Sequence, residues 1–209
     1  MPSLAIDLSR PSPAKLTELF PDRPATLRLE IGFGAGEHLI AEARQYPCTG
    51  FIGVEPFING MAKVLAAIEA HGLTNIRLHH GDAIKVLQWL PTAQLARVDL
   101  LYPDPWPKRR HWKRRFVHDR NIAQIARVLR LNGELRFATD SPEYAAWTLQ
   151  HLIRVPTFAW TAEQADDWRR PWPGFSGTRY EAKAKREGRV PCYLIFRRTD
   201  VRSQMTDDS

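Results

Sequence analysis

The sequence has little cysteine: Cys48 and Cys192 are its only two, far apart and outside any Cys-x-x-Cys pair. That spacing supports neither a disulfide framework nor a thiolate metal site, and both side chains are expected to be small buried hydrophobes. Also missing is any apolar run near the roughly 20 residues of a membrane-spanning helix. The first thirty residues hold no apolar stretch behind a basic start, as a secretory leader would. The expectation is a cytoplasmic chain with no membrane partner and no bound metal. Repeats and low-complexity segments are absent too, and 44% hydrophobic with 25% charged residues are globular proportions. What the chain has in excess is positive charge. Thirty Lys and Arg against 23 Asp and Glu leave a net +7, which favours an anionic partner without naming one.

At 209 residues the chain suits one domain with short tails. Prolines at 2, 11, 13, 21 and 24 forbid a long helix in residues 1–26 and predict an extended surface arm, helical only around 15–20. From residue 27 short apolar runs (27–31, 51–55, 76–80, 98–102, 134–138) alternate with helical periods, the pattern of an α/β fold with helices on both faces of a parallel sheet. Met61, Val64, Leu65 and Ile68 lie on one face of a helix at 58–71 that stops at Gly72. Ile122, Ile125, Ala126 and Leu129 predict a second at 119–131, ending at Asn132-Gly133. Ser141-Pro142-Glu143 opens a third. Strands at 157–160 and 192–197 bracket a Trp-, Pro- and Arg-rich insert at about 161–191, long enough to be functional or disordered. The core domain is therefore placed at 27–198, with a flexible polar tail at 199–209.

The first strand runs through Glu30 into a turn carrying Gly32, Gly34 and Gly36, and then into a helix. Glycines there let the backbone turn tightly and approach a ligand. A dinucleotide fingerprint would place Gly or Ala where Glu37 stands, and a carboxylate at that point opposes a pyrophosphate. Glu30 before the turn instead suits a ligand carrying an ammonium and a sulfonium. Glu55 after the second strand and Asp82 after the third complete a set of acids at strand carboxyl ends, the edge where open α/β sheets bind ligands. Glu55 is expected to hold two ribose hydroxyls and Asp82 an adenine amino group. Each acid alone reads equally well as a solvated strand end or helix cap; together, beside the glycine turn, they read as one site. His79 and His80 read as packing and surface residues.

After the fourth strand, Pro103 and Pro105 bracket Asp104 and hold its carboxylate at the same edge. Residues 108–115, Lys-Arg-Arg-His-Trp-Lys-Arg-Arg, put six Lys or Arg in eight positions at the mouth of the site. A second cluster runs from Trp168 and Trp172 through Arg179, Lys183, Lys185, Arg186 and Arg189. Arg and Trp together permit phosphate contact and base stacking, which suits a nucleic acid better than a small substrate.

From the glycine turn to about residue 153 the chain resembles class I S-adenosylmethionine-dependent methyltransferases. Four elements narrow the resemblance to the tRNA (guanine-N7-)-methyltransferases: Glu30-Ile-Gly-Phe-Gly, Pro103-Asp-Pro-Trp with Lys108 beyond it, Ala138-Thr-Asp140, and Thr178-Arg-Tyr-Glu181. The family usually shows an aromatic pair before the Pro-Asp-Pro-Trp loop and Lys after the threonine, where this chain has Leu101-Tyr102 and Arg179. The resemblance implies a Rossmann-like, doubly wound, mostly parallel seven-stranded sheet with an antiparallel last strand. It also implies methyl transfer from S-adenosylmethionine to N7 of a guanine in the variable loop of tRNA. Glu30, Gly32, Gly34, Gly36, Glu55, Asp82 and Asp104 would bind the cofactor, with Asp104 also catalytic. Lys108, Asp140, Thr178, Arg179, Tyr180 and Glu181 would bind substrate. The alternatives are a class I methyltransferase acting on an exocyclic amino group of RNA or DNA, a nicotinamide oxidoreductase, and a non-catalytic RNA-binding module. Monomer and homodimer are not distinguished.

Overall fold

The computed structural model describes residues 4–200; most of the tail expected at 199–209 lies outside them. The apolar runs become β1 (Thr26–Ile31), β2 (Thr49–Glu55), β3 (Ile76–His80), β4 (Leu95–Leu101) and β5 (Leu129–Thr139), followed by β6 (Phe158–Trp160) and β7 (Cys192–Arg198). They form one sheet in the order β3-β2-β1-β4-β5-β7-β6. Six strands run parallel and β7 runs against its neighbours β5 and β6. The order reverses between β1 and β4, so a crevice opens outside their carboxyl ends, the usual ligand position in such sheets.

Helices cover both faces: α1 (Glu37–Gln45), α2 (Ile58–His71), α3 (Ala83–Trp89), α4 (Asp119–Val128) and α5 (Pro142–Ile153). One core packs Leu29, Ile52, Val98, Leu100 and Phe137 of the sheet against Val86, Ile122, Ile125 and Tyr144. A second packs Phe51, Ile76 and Leu78 against Leu39, Met61, Val64 and Ile68. Between them, on the face beneath α1, β1 and β4 bury charge rather than oil. Arg28 meets Glu42 at 2.7 Å, while Arg97 pairs with Glu42 and, at 2.8 Å, with Asp99. Buried ions survive only when paired in this way.

Several boundaries move. The helix expected at 119–131 stops at Val128, because Leu129 turns extended (φ −69°, ψ 136°) and is buried opposite Leu95 as the first residue of β5. Its apolar period ran on across a helix–strand junction. Asn132, at φ 62°, then forms an irregularity where the register slips between Leu95 and Arg97, and not a helix cap. The described part of the arm, from residue 4, is irregular chain with turns at 7–10 and 20–23 and a 3-10 turn at Leu16–Leu19. It pairs beside β3 through Ile6 and Leu4, with Leu16 and Phe20 buried. The insert at 161–191 contains two helices, α6 (Asp166–Arg169) and α7 (Arg179–Arg186). Cys192 is buried as expected, whereas Cys48 is exposed. Among the described residues no helix is long and apolar enough to cross a membrane.

Candidate active site

The glycine turn forms the inner wall of a cleft of about 1040 Å³ at the switch point, which also contains Glu55, Asp82 and Asp104. Gly32, Gly34 and Gly36 all take left-handed φ angles of 71°, 58° and 80°. A Cβ at Gly36 would strike Val64, and one on Gly60 would strike the carbonyl of Gly34, so the turn is fixed by close approach as well as by φ. Glu55 secures it: one carboxylate oxygen accepts from Gly34 N at 2.7 Å and the other from Phe57 N at 2.9 Å. Asp82 is the N-cap of α3, accepting from Ile84 N at 2.8 Å through Oδ1, and remains exposed beside the cleft. It is both helix cap and cleft residue.

Glu30 is placed differently from its neighbours. Its side chain is buried beneath the turn, 2.8 Å from Nδ1 of His38 on α1. Burial pushes the Glu30 carboxyl up, opposed by His38. Burial alone would lower His38, but Glu30, Asp99 and Glu42 together hold it above the ordinary imidazole value. Sequence reasoning missed His38; its one signal is its place just after the glycine turn.

The loop after β4 leaves the sheet at Tyr102, which takes φ 51°, and Trp106 follows at φ 42°. Bulky residues resist that region, at a cost of about 1–3 kcal/mol each. Between them Asp104 is exposed and accepts no hydrogen bond among the described residues, although it lines the cleft. Trp106 stands half-exposed in the cleft with the Arg114 guanidinium 4.8 Å from its ring. Lys108, Arg109, Arg110, Lys113 and Arg114 are exposed. Arg115 is not: it is buried and donates to the carbonyl of Pro105 at 2.9 Å.

Thr178 caps α7 by accepting from Glu181 N at 3.1 Å. This brings Tyr180 and Arg179 over the glycine turn, where a Cβ at Gly34 would lie 3.5 Å and 3.7 Å from them. Glu181 is buried and accepts from the Tyr193 hydroxyl at 2.6 Å, with Lys185 on the same oxygen. Burial and Glu181 raise the Tyr193 hydroxyl well above its usual range, and burial with Tyr193 does the same for Tyr102. Asp140, just beyond β5, is paired with Arg189, which also holds Glu187. The structure thus gathers Glu55, Asp82, Asp104, Arg179 and Tyr180 around one cleft, whereas Asp140 and Glu181 do not line it and each already holds a cation. Two aromatic residues expected to stack bases do otherwise. Trp172 is buried against Phe175, Tyr193 and Arg136, and Trp112 packs on Trp147.

The chain is similar to known proteins in both sequence and fold. A family model described as "Putative methyltransferase" matches residues 24–193. A tRNA (guanine-N(7)-)-methyltransferase from Rhodopseudomonas palustris is 59% identical over 198 residues, 95% of this chain and 77% of that protein. One from Bradyrhizobium diazoefficiens is 58% identical over 199 residues, 95% of this chain and 84% of that protein. Among solved structures, an rRNA methylase from Streptococcus thermophilus superposes with a TM-score of 0.57 at 13% identity, over 88% of this chain and 92% of that one. Precorrin-6y C5,15-methyltransferase from Geobacter metallireducens gives 0.56 at 13% identity, over 85% and 81%. At such identities the structural likeness speaks for the fold alone, that of Rossmann-like methyltransferases.

Proposed function

The chain belongs to the tRNA (guanine-N(7)-)-methyltransferase family, and from that premise we propose that it transfers a methyl group from S-adenosylmethionine to N7 of a guanine in tRNA. The observation that carries the reading is Asp104: an exposed, unbonded carboxylate on a strained loop, facing the cleft whose inner wall is the glycine turn. Donor chemistry fits the cofactor. The turn admits no side chain at Gly36, Glu55 is oriented by two backbone N–H groups, and the Oδ2 of Asp82 is left to accept. Glu55 would hold the ribose, Asp82 the adenine amino group, and Glu30, fixed by His38, would place negative charge under the methionine ammonium. When bound, S-adenosylmethionine supplies an electrophilic methyl group on a sulfonium.

Guanine N7 presents a bare lone pair at neutral pH, so no residue has to remove a proton. Asp104 therefore acts by accepting from the N1–H and amino edge of the base and by setting its charge near a purine that becomes cationic. Asp140 can share that edge once the base displaces the Arg189 guanidinium, since both present N–H donors to the same carboxylate. Trp106 offers a stacking face, and Arg109, Arg110, Lys113 and Arg114 offer charge to phosphates. Lys108 would join them, while α7, through Thr178, Arg179, Tyr180 and Glu181, closes over the turn.

The test is incubation with methyl-labelled S-adenosylmethionine and unmodified tRNA, followed by nucleoside analysis. Label in 7-methylguanosine is the expected result. Label on an exocyclic amino group would replace the N7 reading, and no label in tRNA would remove the substrate.

A further inference from the structure

Arg115 ends the basic run, yet among the described residues of that run it alone is buried, at 2% exposure. Its Nε donates to the carbonyl of Pro105 at 2.9 Å, and its Nη2 to that of Trp106 at 3.5 Å and to Glu143 Oε1 at 2.9 Å. The guanidinium carbon lies 4.8 Å, 4.9 Å and 5.1 Å from the rings of Trp112, Trp147 and Tyr144. Three partners, Glu143, Tyr144 and Trp147, sit on α5, whose N-cap Ser141 directly follows Asp140. The two carbonyls belong to the loop that carries Asp104.

We infer that Arg115 is a positioning residue of the methyl-transfer reaction and not a phosphate contact: it clamps the Asp104 loop to α5 and so fixes Asp104 relative to Asp140. The inference rests on the reading of Asp104 given above. The loop needs a clamp because Tyr102 and Trp106 hold left-handed backbone angles that their side chains resist. Without a buried donor, the Pro105 carbonyl loses its partner and the loop is free to relax. Only a flat, forked cation can serve two carbonyls and a carboxylate while lying against three rings; a lysine ammonium is a point charge on a flexible stem.

Arg115→Lys in the full chain tests this. Turnover at saturating tRNA and S-adenosylmethionine should fall by about 10- to 100-fold, the cost of misplacing a reacting group by a fraction of an ångström to an ångström. Cofactor stoichiometry by calorimetry should stay near one per chain, and the slope of log tRNA affinity against log salt should not change. Turnover within twofold of wild type would overturn the inference. So would a salt slope shallower by about one unit with the loss confined to the KM for tRNA, the mark of a phosphate contact. If Arg115→Lys does not fold, Glu143→Gln carries the test: it removes one anchor from a half-exposed position and should lower turnover severalfold at constant salt slope, and unchanged turnover would refute the clamp. Asp104→Asn is assayed alongside. Normal turnover there removes the premise, whereas slow Asp104→Asn with normal Arg115→Lys removes only the clamp.

Discussion

Glu55 and Asp104 are carboxylates of one cleft with opposite surroundings, and the contrast sets what each substitution should do. Glu55 is 3% exposed and accepts from one backbone N–H of the turn, Gly34, and one at the start of α2, Phe57, so its loss disturbs both the turn and the ligand. Glu55→Ala should weaken S-adenosylmethionine binding by about 1–3 kcal/mol, as measured by calorimetry; a dissociation constant within twofold of wild type would reject the assignment. Asp104 makes no hydrogen bond within the described chain, and its flanking prolines keep the loop in place when the side chain becomes an isosteric amide. Asp104→Asn should therefore leave the melting temperature unchanged and lower turnover by on the order of 10²-fold or more, about 2.7 kcal/mol of barrier. Wild-type turnover should also show no rising limb between about pH 6 and 8, because N7 carries no proton to remove. A steep base-type profile would point to an amino-group acceptor. The place of both residues on one cleft was legible in the sequence, because acids after several apolar runs fall together at the sheet's carboxyl edge although each alone reads equally well as a solvated strand end or helix cap. Arg115 and His38 were not. Sequence shows that a side chain is cationic, but only packing shows whether it points out to phosphate or in to a carbonyl.

At the scale of elements the same distinction sorts the basic run. Arg109, Arg110, Lys113 and Arg114 are exposed on a short 3-10 turn, while Arg115 and Trp112 close its inner side against α5. Replacing the four exposed residues by Gln should flatten the salt dependence of tRNA affinity by roughly one unit for each phosphate-binding cation removed. An unchanged slope would make the run an ordinary solvated face. Trp112→Ala should instead appear first in the melting temperature, since its ring packs on Trp147 and the Arg115 guanidinium. The strands were read well where an apolar run ended at a polar strand end, as at Ile76–His80. They were read badly at Leu129, where a residue buried on the same side by two different elements kept a helical period alive past the helix. The Trp-rich insert misled for a related reason: Trp172 has the composition of an RNA contact and the location of core.

Over the whole molecule, the buried charges beneath the cofactor turn link stability to pH. His38 is buried between Glu30 on β1, Glu42 on its own helix, and Arg97 and Asp99 on β4, with the Phe175 ring 5.4 Å from it. Its imidazole is held above the ordinary value of 6.5, and the Glu30 carboxyl is raised as well. The sign follows from linkage. A group whose folded pKa lies above its unfolded one binds more protons in the folded state, so its stabilisation is complete below the unfolded value and drains as pH rises towards the folded one. Above pH 6.5 the unfolded chain therefore sheds its imidazole proton while folded His38 keeps it, and only above the raised folded value does the proton leave and Glu30 lie buried beside a neutral ring. Between those two values the change in stability can reach about 1.4 kcal/mol per pH unit. Other groups titrate on the alkaline side, so the informative quantity is a difference. His38→Gln keeps a donor for Glu30 but cannot titrate, and wild-type stability minus that of the variant should decline steadily from about pH 6.5 upward in denaturant unfolding. A difference that is flat across that range would show that His38 is neutral in the folded protein, and that Glu30 is held by an uncharged hydrogen bond.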